Sequence, residues 1–71
     1  IRVLFKNALK VGAVSIIVAH NLPSGVLNPS QSDIVLTEKM KNAGENIDIK
    51  LLDHLIISEK GYFSFADENI L

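Results

Sequence analysis

The chain has 71 residues, of which 48% are apolar, and its seven basic and eight acidic side chains give a formal net charge of −1. This length accommodates one domain and lies near the lower limit at which a single hydrophobic core is stable by itself. The charge balance argues against a protein that binds nucleic acid through a strongly basic surface. The chain has no cysteine, which excludes disulfides, thiol nucleophiles and cysteine-ligated metals.

The amino-terminal residues give no indication of a targeting or membrane segment. They lack the charged-then-apolar layout of a signal peptide. The longest uncharged stretch has an apolar part over residues 13–19, which is much shorter than the roughly 20 residues needed to cross a bilayer. We therefore expect a cytoplasmic protein without a membrane partner.

The first part of the chain predicts a helix, a strand and a loop, in that order. Residues 1–11 repeat apolar side chains at helical spacing, and Gly12 is a plausible helix stop. Residues 14–20 form a nearly continuous apolar run rich in β-branched side chains, which is typical of a strand buried on both faces. Asn, Pro, Ser and Gly cluster over residues 21–29 and predict a loop.

The second part of the chain predicts a helix followed by two strands. Ser30 and Asp33 form an S-x-x-D pattern typical of a helix start, and helical spacing continues to a stop at residues 44–46. The remaining predicted elements are a strand over 49–57, a turn over 58–61 and a hairpin strand over 62–65. The order helix, strand, helix, strand, strand indicates an α/β fold with a mixed sheet.

Three polar side chains gather near the predicted end of the first strand. His20 ends that strand, Ser30 precedes the next helix, and Asp33 lies in its first turn. Ligands of such sheets bind beyond the strand ends, and zinc takes nitrogen and carboxylate ligands, with three from the protein in a catalytic site. The alternative is that Ser30 and Asp33 only cap the helix and that His20 bonds to backbone. The residue types alone leave both interpretations open.

Two further polar residues, Asp53 and His54, interrupt the apolar second strand. His54 is interpreted as a partly buried histidine bonded to backbone or to Asp53, the alternative being a side chain that reaches the metal region. An unpaired buried carboxylate is costly, so Asp53 is expected to face water, to pair with Lys50 or to accept backbone N–H bonds. The aromatic residues expected in the core are Phe5, Phe63 and Phe65.

Several segments of the chain resemble a known family. Residues 20–25 read H-N-L-P-S-G and residues 28–33 read N-P-S-Q-S-D. These segments resemble H-N-H-P-S-G, a short spacer and P-S-x-x-D, the signature of the RadC family of bacterial JAB/MPN (JAMM) domains. Residues 52–57 look like the family's L-D-H segment, and residues 5–9 and 62–65 look like the helix before its first motif strand and its closing hairpin. The similarity runs through nearly the whole chain in order.

The resemblance implies a zinc metallopeptidase-like domain, with the helices layered on a mixed sheet as in JAB/MPN and cytidine-deaminase-like folds. In the family, the two histidines of H-x-H and a later aspartate hold a zinc ion, which activates water and polarises the scissile carbonyl. By position, His20 and Asp33 match zinc ligands, and Ser30 matches the catalytic serine that stabilises the tetrahedral intermediate. The family's general-base glutamate lies on an earlier strand. The resemblance therefore implies that residues 1–71 are the carboxy-terminal part of one such domain, truncated at the amino end.

The chain departs from the family pattern at residue 22, where Leu22 stands in place of the second histidine. Leucine has no donor atom, so we expect a degenerate site that holds zinc weakly, and no peptidase activity. The alternative is a metal-free pseudo-enzyme that binds or scaffolds a protein or peptide partner. The family's DNA-repair label implies a process, since the sequence has neither a basic stripe nor an aromatic platform for direct DNA contact.

The size of the chain bears on its oligomeric state. A fold of this length with this apolar content is expected to need a partner subunit for its stability. Without the earlier strands of the domain, the sheet would expose an edge that can pair with another strand. We therefore expect a homodimer formed through that edge.

Overall fold

The computed structural model describes residues 1–22 and 27–71. Its elements over these residues are α1 (Arg2–Lys10), β1 (Ser15–Asn21), α2 (Gln31–Asn46), β2 (Lys50–Ser58) and β3 (Gly61–Ser64). The strands form one sheet in the order β1-β2-β3, in which β1 is parallel and β3 antiparallel to β2. The predicted α/β fold with a mixed sheet is confirmed. Residues 23–26 of the predicted loop lie outside the described residues.

The first helix, α1, ends where the sequence predicts, beside Gly12. This glycine has a φ of +74°, in the left-handed region that favours glycine after a helix. The next N–H, of Ala13, donates to the carbonyl of Ala8 and so satisfies a carbonyl near the helix end. The inner face of α1 contributes Phe5 and Ala8 to a small core that Ile49 completes.

The second helix, α2, begins at a capping box formed by Ser30 and Asp33. Ser30 Oγ accepts the Asp33 N–H at 3.0 Å, and Asp33 Oδ2 accepts the Ser30 N–H at 2.9 Å. The box satisfies two backbone donors that a helix start otherwise leaves unpaired, and it confirms the predicted start. The helix runs for 16 residues, and neither helix of the described ranges is long and apolar enough to cross a membrane.

The prediction that the first strand is buried on both faces is wrong. Residues of β1 alternate between exposed and half-buried, and Ile17 is 59% exposed. Among the described residues, β1 has a hydrogen-bonded neighbour on one side, β2, and its half-buried Ile16 packs against the core beneath α1. A β-branched run does not distinguish an edge strand from a central one, because the number of neighbouring strands is not a local property.

A β-bulge in β2 determines which of its side chains face the core. The register with β1 skips Leu52, which falls between the partners of Ile16 and Ile17. One extra residue reverses the alternation of side chains along a strand. Leu51 is accordingly buried before the bulge and His54 after it. Without the bulge, His54 would face the opposite side of the sheet.

Aromatic side chains from the end of the chain close the core beside β2. The last strand ends at Ser64, one residue earlier than predicted, and a turn follows. Phe65 at the start of this turn is fully buried, and the half-buried Phe63 meets it edge-on with ring centroids 5.5 Å apart. Phe5 is also buried, so the core prediction holds for Phe5 and Phe65 and in part for Phe63.

Gly44 marks the closest approach of α2 to the chain that enters β2. Its carbonyl accepts the Ile49 N–H at 2.8 Å. A Cβ at position 44 would overlap with the carbonyl oxygen of Ile49. We therefore expect Gly44→Ala to lower the melting temperature, although an unobstructed glycine-to-alanine change inside a helix stabilises by about 1 kcal/mol.

Thermal unfolding followed by circular dichroism tests this expectation. Asn42→Ala, at an exposed position of the same helix, is the matched control, and it should keep or raise the melting temperature because alanine is the better helix former. A Gly44→Ala chain that melts at or above the temperature of the unmodified chain would contradict the close approach.

Candidate functional site

His20 and Asp33 come together where β1 ends and α2 begins. His20 is the last residue but one of β1, and Asp33 lies in the first turn of α2. The distance from His20 Nε2 to Asp33 Oδ1 is 3.8 Å, and the two side chains are 35% and 21% exposed. The gap between these atoms is therefore reached by solvent.

The two carboxylate oxygens of Asp33 have different partners. Oδ2 accepts the backbone N–H of Ser30, while Oδ1 faces His20. The hydrogen bond from the Ser30 backbone is the main reason that the pKa of Asp33 lies below its ordinary value. Partial burial acts against this lowering, and the Ser30 side chain and the nearby rings of His20 and His54 add to it. Asp33 is thus a carboxylate at neutral pH, with one oxygen directed at the imidazole.

A second histidine, His54, lies behind His20 and is buried, with 1% of its surface exposed. Its Nε2 is 2.9 Å from His20 Nδ1, and its Nδ1 is 2.6 Å from Thr37 Oγ1. The ring stacks on Phe65, with centroids 4.9 Å apart and planes at 12°. Burial lowers the pKa of His54, and the neighbouring His20 lowers it further. Both ring nitrogens of this neutral imidazole are therefore satisfied inside the protein.

This placement corrects the simpler interpretation of His54. Its ring nitrogens bond to neither backbone nor Asp53, and instead they join the ring to His20 and Thr37. Sequence reasoning missed Thr37 entirely, although its spacing of four residues from Asp33 places both on one face of α2. The ring of His54 is nevertheless no substitute metal ligand, because both of its nitrogens already have partners.

Asp53 has a separate, structural role. Oδ1 accepts the backbone N–H groups of His54 and Ala66 at 2.7 and 3.0 Å, and Oδ2 accepts the Ser64 hydroxyl. Of the three expectations for this carboxylate, acceptance of backbone N–H bonds is confirmed. Burial by itself raises the pKa of Asp53, but the hydrogen bonds from Ser64, Ala66 and His54 together outweigh it and hold the pKa below its ordinary value.

Ser30, which by family position would stabilise a tetrahedral intermediate, serves the helix cap. Its hydroxyl accepts the Asp33 N–H. A hydroxyl that accepts one hydrogen bond still has a proton to donate, so capping and oxyanion stabilisation do not exclude one another. The catalytic role of Ser30 stays a prediction, as does metal ligation by His20 and Asp33.

Distances and donor types test whether the site fits the zinc ion that the resemblance implies. Two ligands each about 2.1 Å from a tetrahedral zinc lie roughly 3.4 Å apart, so the observed 3.8 Å needs only a small adjustment. By the resemblance to the family pattern, the third ligand position falls at Leu22, whose side chain has no donor atom. Over residues 1–22 and 27–71, no group of three or more His, Cys, Asp or Glu is arranged to hold a metal ion. The donor set is thus one short of a catalytic zinc site.

Comparisons with known proteins agree with the fold. Residues 1–70 match a family model described as RadC-like JAB domain. A UPF0758 protein of Flavobacterium johnsoniae is 56% identical over 70 residues, which cover 99% of this chain and 31% of the relative. UPF0758 proteins of Thermotoga maritima and Aquifex aeolicus are 46% and 51% identical, over 99% and 97% of this chain and 32% and 29% of their own lengths. The chain therefore spans about a third of these curated relatives.

The hydrogen bonds of Asp53 predict a loss of stability in acid. Because its pKa is lower in the folded state, its stabilisation is complete above about pH 4 and is lost as the pH falls through the folded-state value. At neutral pH, Asp53→Ala should cost about 2–3 kcal/mol of unfolding free energy, since it leaves the N–H groups of His54 and Ala66 without their acceptor.

Urea unfolding of the two chains at pH 7 and at about pH 3 measures this contribution. The difference in unfolding free energy between the unmodified chain and Asp53→Ala should be smaller at pH 3 than at pH 7. Asp67→Ala, at an exposed acidic position in the turn that follows β3, is the control, and it should change the unfolding free energy little. Equal unfolding free energies for Asp53→Ala and Asp67→Ala at pH 7 would rule out this role of the Asp53 carboxylate.

Proposed function

The chain belongs to the RadC-like JAB domain family, and from that premise we propose that it is a degenerate JAB unit. In this proposal, His20 and Asp33 bind a divalent metal ion such as zinc weakly, and the chain does not hydrolyse peptide bonds by itself. The observation that carries the proposal is the 3.8 Å approach of His20 Nε2 to Asp33 Oδ1, in a chain with Leu22 at the third ligand position.

The position of Leu22 supports this proposal. Its N–H donates to the Ile57 carbonyl at 2.8 Å, which continues the β1–β2 pairing past the end of β1. Residues two apart in an extended chain share a face, and Leu22 and His20 are both half-buried while Asn21 between them is exposed. Leucine thus presents an apolar side chain on the face where a third donor would complete the metal site.

Two protein ligands are insufficient for the family's chemistry. A catalytic zinc held by three protein ligands lowers the pKa of its bound water and polarises a carbonyl. Removing only an outer hydrogen bond to a ligand weakens metal binding by about 10–100-fold, and removing a ligand itself costs more. We therefore assign this chain no hydrolytic step.

A second candidate function is that of a metal-free module that binds or scaffolds a protein or peptide partner. Val14, just before β1, and Ile17 within it are 77% and 59% exposed. Both lie in or next to β1, a strand with one hydrogen-bonded neighbour among the described residues. Such an edge accepts an added strand, and the partner we propose for it is a second copy of this chain.

The family's association with DNA repair enters this proposal as a cellular process only. Direct binding to the DNA backbone requires lysine and arginine side chains that neutralise phosphates. With seven basic against eight acidic residues, the chain offers little charge for that purpose. The proposed partners are therefore proteins or peptides.

Restoring the missing ligand tests the proposed site. Leu22→His is expected to raise zinc affinity by about 100-fold or more, because an imidazole on the face of His20 supplies the third donor. Isothermal titration of the metal-free chains with zinc chloride measures the change. Leu22→Gln, which adds a polar side chain without an imidazole, is the matched control and should bind as weakly as the unmodified chain.

A double variant, Leu22→His with Asp33→Asn, should lose the gain while keeping an oxygen for the helix cap. Equal zinc affinity in the unmodified chain, Leu22→Gln and Leu22→His would show that the site is placed wrongly. Tight stoichiometric zinc in the unmodified chain, accompanied by a higher melting temperature, would overturn the proposal of a degenerate site and restore a zinc-dependent hydrolase.

A further inference from the structure

We propose that Thr37 and His54 are positioning residues that fix the tautomer of His20, so that its Nε2 lone pair faces Asp33 and is available to a cation. We call the hydrogen-bonded series Thr37, His54 and His20 the histidine relay. The inference rests on the proposed function in treating His20 and Asp33 as a metal site, but its own test needs no metal.

The relay begins at a backbone carbonyl, which sets its direction. Thr37 Oγ1 is 2.7 Å from the carbonyl oxygen of Asp33, one helical turn earlier. A carbonyl oxygen can only accept, and a hydroxyl has a single proton. Thr37 therefore donates its proton to the Asp33 carbonyl, a back-bond common for threonine within helices, and meets His54 with a lone pair.

The direction set by Thr37 determines the tautomer of His54. Its Nδ1 lies 2.6 Å from Thr37 Oγ1, whose proton is already used, so Nδ1 must carry a proton. The ring is 1% exposed, and such burial disfavours the charged imidazolium. A neutral imidazole with its proton on Nδ1 has a lone pair on Nε2. His54 therefore presents an acceptor to the next member of the relay.

The same reasoning extends to His20. Its Nδ1 is 2.9 Å from His54 Nε2, and an acceptor at that distance requires a donor, so the His20 proton sits on Nδ1. In the neutral ring, Nε2 then holds a lone pair 3.8 Å from Asp33 Oδ1. A lone pair and a carboxylate oxygen that face each other across this gap are satisfied together by a cation between them.

The relay is rigid because its inner members are enclosed. Thr37 is 3% exposed and His54 is 1% exposed, and Phe65 stacks on the His54 ring. The hydrogen bond made by one ring nitrogen of a histidine decides which tautomer is present. Without the relay, His20 could instead carry its proton on Nε2 and donate it to Asp33, which would block the lone pair.

Nitrogen NMR of the metal-free chain, at a pH at which both rings are neutral, tests the relay directly. Protonated and unprotonated ring nitrogens differ in ¹⁵N chemical shift, so the spectrum reports the tautomer of each histidine. We expect the proton on Nδ1 in both His20 and His54. Thr37→Ser should keep this pattern. Thr37→Val and His54→Phe, which break the relay without adding charge, should shift His20 toward the Nε2–H tautomer.

Two results would overturn the relay. One is a His20 with its proton on Nε2 in the unmodified chain. The other is an Nδ1–H tautomer of His20 that persists in folded Thr37→Val and His54→Phe chains, since a merely structural role would lower stability without changing the tautomer. If these variants fail to fold, the tautomers in the unmodified chain and in Thr37→Ser decide the question.

Zinc titration separates this inference from the proposed function. In the Leu22→His background, Thr37→Val should weaken zinc binding by about 10–100-fold, as expected for the loss of a group that orients a ligand. The predicted tautomers without any zinc binding would retain the relay and reject the proposed metal site. Zinc binding that depends on Asp33 but not on Thr37, with His20 protonated on Nε2 in the metal-free chain, would retain the proposed metal site and reject the relay.

Discussion

The buried ring of His54 has two nitrogens that both need hydrogen-bond partners, and the structure around the end of β1 is arranged to supply them. A buried polar group without a partner costs about 1–3 kcal/mol. Thr37 on α2 meets one nitrogen, and His20 on β1 meets the other. The side chain of His54, which projects from β2, thus connects this strand with both α2 and β1. The candidate site is the solvent-facing end of this buried connection.

Hydrogen bonds within the chain hold the two candidate ligands in position. Asp33 is held by the helix cap, and His20 is held by its contact with His54. Both contacts satisfy requirements of the folded chain. The approach of His20 to Asp33 is therefore a property of the fold itself.

The features that local signals determine were predictable from the sequence, and those that depend on distant neighbours were not. The start of α2 and the end of α1 follow from the Ser30 cap and from Gly12, which act within one turn of the chain. His20 and Asp33 could be placed together because ligands of such sheets lie beyond strand ends. The inward direction of His54 depends on the bulge at Leu52, which arises only when β2 pairs with β1. The exposure of β1 likewise depends on how many strands surround it.

Asp33 caps the helix and is also a candidate metal ligand, and the cap affects how such a domain can change over generations. A lineage that no longer uses the metal gains nothing by replacing Asp33, because losing a helix cap costs about 1 kcal/mol. The described hydrogen bond of Leu22 does not require a particular side chain. Its backbone N–H donates to the Ile57 carbonyl, and any residue except proline can make this bond. Among homologues, an aspartate at position 33 is therefore weak evidence that the domain binds a metal ion. The residue at position 22 is the informative one.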